Sequence, residues 1–182
     1  MLIGFCGKKY SGKDTSADFL TDNYGFKKYA FATPLKNVVK EIFDLSDDQL
    51  YTNKKEEVDV RYNWTPRKML EFIGTDVMRK TFGDDFWVNK IKNQIIQNIN
   101  NNIPSVISDV RFQSEIDMIK QLGGVVIKIN RIDNQNLIYS DIETNIDLLE
   151  CDYKIDNNIS IVEFYKNLDM LVDSIINKVT KS

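Results

Sequence analysis

Histidine is absent from the 182 residues. That excludes His-ligated metal sites, Ser–His and Cys–His nucleophile pairs, and acid–base work by imidazole. Cysteine is nearly absent too. Cys6 and Cys151 are too few for a disulfide framework or a four-cysteine zinc site, and they suit a reducing compartment. No apolar run approaches the ~20 residues needed to span a bilayer. The stretch Met1–Cys6 is too short for a signal peptide and runs straight into a turn. A positive charge excess is also lacking. The net charge of −3 gives no overall basic field for a nucleic-acid polymer or an anionic membrane. The expectation is a cytoplasmic protein that binds neither.

What is present suits one globular domain, with or without an inserted lobe. The chain is 42% apolar and 28% charged, and a domain near this size buries roughly 70% of its unfolded surface. Lys outnumbers Arg 19 to 5. AT-rich coding, common in viruses and parasites, replaces Arg by Lys wherever either serves. The five that remain, Arg61, Arg67, Arg79, Arg111 and Arg131, are candidates for gripping phosphate, because a planar fork on two oxygens is not replaced by an ammonium.

Strand and helix signals alternate. Leu2–Cys6 is a short apolar run before Gly7, hence a buried strand. Lys13–Tyr24 suits a helix stopping at Gly25, and Phe26–Ala32 a second strand or its exit. Pro34 can open a helix through Leu35, Val38, Val39, Ile42 and Phe43. Residues 44–65 are polar and read as a solvated helical face or a loop. Thr65-Pro66 starts a helix, and Phe86–Ile99 is another. Ser105–Asp109 and Val125–Ile129 are strands around a helix that ends at Gly123-Gly124. Tyr153–Asp156 is a last strand. Ile161 to Val179 is one long amphipathic helix, with core packing or a homodimer face as its uses. The pattern predicts a parallel sheet of about five strands covered on both faces, with ligands at the carboxyl ends of the strands.

Gly7-Lys8-Lys9-Tyr10-Ser11-Gly12-Lys13 fits G-x-x-x-x-G-K, after an apolar strand and before a helix. The order matters physically. Gly7 and Gly12 permit positive φ and close backbone approach, and the loop amides converge on an anion at a helix N-terminus. Lys13 places a cation between the outer phosphates. The next residue, normally Ser or Thr, is Asp14, followed by Thr15. Asp14 either faces Mg²⁺, with Thr15 on a phosphate, or is an acidic first-turn residue favoured by the helix dipole. Asp109, at the tip of an apolar strand, can hold a magnesium-bound water. Arg111 either reaches a substrate phosphate or pairs with Glu115.

At Gly7–Thr15, read with Ser16-Ala17-Asp18-Phe19, the sequence resembles the deoxynucleoside monophosphate kinases of T-even phages, which share the G-K-D-T ending. Further segments agree in order: Phe31–Lys36, Pro66–Leu70 through Gly74-Thr75-Asp76, Phe86-Trp87, Ser108–Phe112, and Asp152–Asn157. The resemblance covers nearly the whole chain, most strongly 1–36 and 65–112. It implies an α/β P-loop NTPase three-layer sandwich: a core of 1–32, 84–129 and 151–182, an inserted helical monophosphate-binding lobe at 33–83, and a lid at 130–150.

The resemblance further implies transfer of the ATP γ-phosphoryl, with Mg²⁺, to a 2′-deoxynucleoside 5′-monophosphate, in the host cytoplasm if the chain is viral. Lys9, Leu35, Lys36, Trp64 and Arg67 would border the monophosphate, with Trp64 near the base. Tyr10 stands where the T-even phage enzymes have Arg. Arg79 and Arg111 join the proposed substrate contacts, and Trp87 is either a base stack or core. Catalysis would rest on Lys13, Arg111 and Arg131, the metal on Asp14 and Asp109. Twelve residues of regular helix would turn Arg67 and Arg79 about 120° apart, though Gly74 can bend the segment. Alternatives are another small-molecule kinase of this build, acting on phosphomevalonate or dephospho-coenzyme A, or a nucleotide-binding module without transfer.

Overall fold

The computed structural model describes residues 1–132 and 146–179. Five strands form one parallel sheet in the order β2-β3-β1-β4-β5: β1 Leu2–Cys6, β2 Lys27–Tyr29, β3 Ser105–Val110, β4 Val125–Asn130 and β5 Tyr153–Asp156. β1 is central, with β3 on one side and β4 on the other. Its carboxyl end therefore lies where the strand order reverses, the place at which open α/β sheets bind ligands.

The three inner strands, β1, β3 and β4, form where the apolar runs are; the edge strand β2 is only the polar Lys27–Tyr29, shorter than the Phe26–Ala32 stretch read from sequence. All five residues of β1 are buried, as a central parallel strand covered on both faces requires. On one face lie α1 (Lys13–Tyr24) and the last helix, Ile161–Val179. Ile3, Phe5, Ile127 and Ile129 of the sheet pack there against Ala17, Leu20, Phe164, Leu168 and Val172. Phe19 and Tyr165 stack 4.9 Å apart, and Tyr24 Oη donates to Asp169 Oδ1 at 2.6 Å. These contacts give the C-terminal helix a core role. Helix Gln113–Gln121 covers the other face through Ile116 and Ile119. The α/β sandwich expected from the sequence is the fold found.

The chain divides into two compact units, Met1–Ala30 with Ile95–Ser182, and Phe31–Gln94. The second has its own small core of Val39, Leu45, Leu50 and Met69, with Leu35, Phe43, Leu70 and Ile73 packed around it. Its first helix, Ala32–Phe43, starts two residues before Pro34. Proline is tolerated there because the first-turn N–H groups have no intrahelical partner.

The polar segment 44–65 is more ordered than a solvated loop. It holds helix Asp47–Tyr51, capped by a reciprocal Ser46–Gln49 box, and a 3₁₀ turn at Asn53–Glu56. Thr65-Pro66 starts helix Pro66–Glu71 as read, with Thr65 Oγ1 accepting from Lys68 N. From Phe72 to Arg79 the helix widens to π geometry. The angle computed for regular helix between Arg67 and Arg79 therefore does not hold.

Candidate active site

The turn between β1 and α1 runs from Gly7 to Gly12. Gly7 has φ +151° and Gly12 φ +106°, the left-handed side where a Cβ is strained. Tyr10, with φ 63°, shares that region. The carbonyls of Gly7, Lys8, Tyr10, Ser11 and Gly12 accept from donors around them. The Lys13 ammonium donates to Gly7 O and Lys8 O, each at 2.6 Å. Arg131 Nη1 reaches Tyr10 O at 3.4 Å. Asn157 Nδ2 donates to Ser11 O at 2.8 Å. Ser16 donates from both N–H and Oγ to Gly12 O at 2.9 Å. With carbonyls engaged in this way, trans peptide planes turn the following N–H groups to the opposite side. Ser11 Oγ is buried without a hydrogen-bond partner among the described residues.

Beside the loop opens a cavity of about 420 Å³, lined by Tyr10, Gly12, Lys13, Asp14, Thr15, Arg131, Asn157, Ile159 and Ile161. Of the residues expected from sequence, the structure thus gathers Gly12, Lys13, Asp14, Thr15 and Arg131 around one space. Four strand ends feed this edge: β1 the loop, β3 Asp109 and Arg111, β4 Arg131, β5 Asn157. Lys9 sits 4.9 Å over the Tyr10 ring. Glu115, itself buried, accepts the backbone N–H groups of Arg111 at 2.7 Å and Phe112 at 3.2 Å, fixing the turn after β3. Residues 133–145 of the expected lid lie outside the described residues.

Asp14 is exposed at the first turn of α1. Lys28 of β2 stands 3.1 Å from its carboxylate and 2.8 Å from Asp18. Partial burial would raise the Asp14 pKa, but the Lys28 contact, the Ser108 hydroxyl and the Lys13 charge outweigh it and hold the group below its ordinary value. Desolvation would lower the Lys28 pKa, but its contacts with Asp18 and then Asp14 outweigh it and shift the group upward. No group of three or more His, Cys, Asp or Glu among the described residues is arranged to hold a metal. Asp14, a hard carboxylate on the cavity wall, is of the donor type that suits magnesium, which keeps waters and takes its remaining ligands from substrate phosphates.

In the second unit, Arg67 donates to Glu56 at 2.7 Å and lies near Glu71. Lys36 is 4.1 Å over the Tyr51 ring. Leu35 packs on Gly74. Trp64 is half-exposed, edge-on to Phe72. Two residues weighed for substrate contact are interior, Trp87 in agreement with the core alternative. Trp87 is 3% exposed, its indole N–H on Gly74 O at 3.0 Å, and Arg79 is 6% exposed, donating to Asp84 O. A side chain so covered packs the unit. Arg61 is likewise a framework group: its Nε and Nη2 grip both oxygens of Asp59 at 3.0 and 2.7 Å. Sequence reasoning missed Asn157, Ile159, Ile161 and Lys28. The signal for Asn157 was its place one residue past the last strand.

A family model for deoxynucleotide monophosphate kinase matches residues 1–59 and 46–168. The chain is 40% identical over 189 residues to the proposed deoxynucleotide monophosphate kinase of Acanthamoeba polyphaga mimivirus, covering 96% of this chain and 97% of that protein. It is 21% identical to the deoxynucleotide monophosphate kinase of Enterobacteria phage T4, covering 92% and 96%. Among solved structures, dephospho-CoA kinase from Campylobacter jejuni superimposes with a TM-score of 0.58 at 17% identity, covering 96% of each chain. Shikimate kinase from Aquifex aeolicus gives 0.52 at 15%, covering 97% and 98%. These structural likenesses speak for the fold alone. Because the family model spans most of the length and the mimivirus relative matches it almost end to end, the chain belongs to the deoxynucleotide monophosphate kinase family.

Proposed function

We propose that the chain transfers the γ-phosphoryl of ATP to 2′-deoxynucleoside 5′-monophosphates, giving diphosphates for DNA synthesis in the cytoplasm of a virus-infected host. The observation that carries this reading is the glycine-flanked loop between β1 and α1, opening on a cavity that Lys13 and Arg131 share. Family membership supplies the acceptor class.

The chemistry asks little of side-chain acid–base groups. The acceptor is a phosphate oxygen, largely anionic at neutral pH because its second pKa is about 6. The absence of histidine is therefore no obstacle. The task is to bring two anions into line and to neutralise charge on the moving group. Loop amides and Lys13 hold the donor's polyphosphate. Ile159 and Ile161, apolar yet exposed on the cavity wall, offer the donor nucleoside a flat surface. Asp14 and Asp109 would hold Mg²⁺, whose charge offsets that of the phosphates when bound. Arg67 and Arg111 fix the monophosphate, with Lys9, Lys36 and Trp64 at its border. Arg131 stabilises the transferring phosphoryl. The segment 33–83 serves as the monophosphate lobe and 130–150 as the lid. Arg79, Arg61 and Trp87 take framework roles in the lobe.

The test is a panel of initial rates with labelled ATP and dTMP, dGMP, dCMP, dAMP and their ribose counterparts, beside phosphomevalonate, dephospho-coenzyme A and shikimate. Transfer to deoxynucleoside monophosphates and not to the last three is expected. ATP binding with no ADP formed over any monophosphate would overturn the reading.

A further inference from the structure

We propose that Asn157 is a positioning residue for the phosphate loop: from the end of β5 its side-chain amide holds the Ser11–Gly12 peptide in the orientation that presents the Gly12 N–H to a bound polyphosphate. The inference rests on the loop being a polyphosphate cradle, but not on the identity of the acceptor.

Ser11 and Asn157 lie 146 residues apart and meet through one bond, Nδ2 to Ser11 O at 2.8 Å. Among the described residues Ser11 makes only one other hydrogen bond, from its own N–H to Lys8 O within the loop, since its hydroxyl has no partner. The Asn157 bond is thus what ties this peptide to the frame. The bond is shielded, with Asn157 only 9% exposed, so water does not readily replace it if the amide is removed. In a trans peptide the carbonyl and the next N–H point to opposite sides. Fixing Ser11 O on Asn157 therefore fixes the Gly12 N–H away from it. If that peptide rotated, a carbonyl would face the anion where an amide should.

Asn157 is itself well anchored. Its N–H donates to Asn130 O at 2.7 Å and prolongs the β4–β5 ladder by one residue. The amide is carried on the sheet, and the loop is the part it steadies. Gly12 fits the same account. A Cβ at that position would lie 2.6 Å from Asn157 Nδ2, so the absence of a side chain there lets the amide approach.

The experiment measures binding of inorganic tripolyphosphate and of ATP by calorimetry to the wild type, Asn157→Ala and Asn157→Leu. The leucine variant keeps the branched four-atom outline of the side chain without a donor, and guards against a cavity effect. Loss of one shielded hydrogen bond that orients a donor is expected to weaken both ligands by the same factor, about tenfold. KM for the monophosphate should stay within about twofold, since uniform loss falls on the donor side. Unchanged tripolyphosphate affinity would overturn the proposal. So would weakening of ATP alone, which would mean contact with the nucleoside. A wild type that does not bind tripolyphosphate, or loss of folding in both variants, would overturn it as well. If tripolyphosphate binding depends on Asn157 while no acceptor is phosphorylated, the inference stands and the kinase reading falls.

Discussion

The ammonium of Lys28 stands 3.1 Å from the carboxylate of Asp14, at the position where phosphate loops usually carry a hydroxyl. Lys28 leaves β2 on the strand outside β3, while Asp14 opens α1. The pair means that the acidic residue beside the cradle is not bare: a lysine already offsets its charge. The two readings of Asp14 open from sequence, metal contact and helix-dipole acid, now differ in measurable ways.

If Asp14 faces the magnesium of the nucleotide complex, Lys28 competes with that ion. Asp14→Asn should then raise the Mg²⁺ concentration giving half-maximal rate, and Lys28→Met should lower it. An exposed charge pair at this range is worth about 1 kcal/mol, so each shift should be about fivefold or less. Opposite signs in the two variants favour the metal role. If neither moves the Mg²⁺ dependence and only Tm changes, Asp14 is a dipole-favoured acid and nothing more.

The pH profile should belong to the substrate. Asp14 is held below its ordinary value, chiefly by Lys28 against the cost of burial, so it stays ionised throughout the working range. No histidine exists to titrate near neutrality. The acid limb of kcat/KM is expected near the second pKa of the monophosphate, about 6. It should move with an acceptor of lower phosphate pKa, such as a thiophosphate, and should not move in Asp14→Asn. A limb that ignores the acceptor would place an essential enzyme group there instead.

The phosphate loop was legible because its parts are contiguous: an apolar strand, two glycines at fixed spacing, a lysine and a helix. The strands were legible for the same reason. Leu2–Cys6 has the bounds its apolar run suggests, and Tyr153–Asp156 those of its alternating pattern. Lys28 and Asn157 were not legible as loop partners. They reach it from strands 14 and 146 residues away along the chain, and only the folded sheet selects them. The helical part of 44–65 agrees with the solvated helical face read there, but its bounds were not legible, because its order comes from polar contacts, Ser46 with Gln49 and Arg61 with Asp59, and the apolar period carries no trace of these. The π stretch at Phe72–Arg79 defeated the helical phase, and with it any judgement of where Arg79 points. Trp87 could not be settled by pattern, since core and ligand-facing aromatics look alike in sequence.

Arg131 gives the sharpest catalytic expectation. Its guanidinium lies at the cavity against the Tyr10 carbonyl, and the role proposed for it is to stabilise the transferring phosphoryl. An arginine in that role is worth roughly 10³-fold or more in rate. Arg131→Lys keeps the charge but not the planar fork, so kcat should fall by at least tenfold while tripolyphosphate affinity changes little. A loss below tenfold would make Arg131 a bystander.

Arg61 and Asp59 offer a prediction about stability. Asp59 accepts from Arg61 Nε, Nη2 and backbone N–H and from Gln49 Nε2, and Arg61 also donates to Asp44 O. The Arg61 contact, opposed by desolvation, holds the Asp59 carboxyl far below its usual range. A carboxylate depressed in the folded state contributes stability that is complete above its unfolded pKa of about 3.9 and is lost as pH falls through the lower folded value. Asp59→Asn should therefore lower Tm at pH 7, and its gap from the wild type should close as pH drops below about 4. Arg61→Lys should lower Tm at pH 7 as well, because an ammonium cannot span both oxygens and the Asp44 carbonyl at once. Neither change should alter KM for ATP, since both groups hold the fold of the second unit. If Tm is unmoved and monophosphate binding collapses instead, Arg61 belongs with the phosphate-gripping arginines after all.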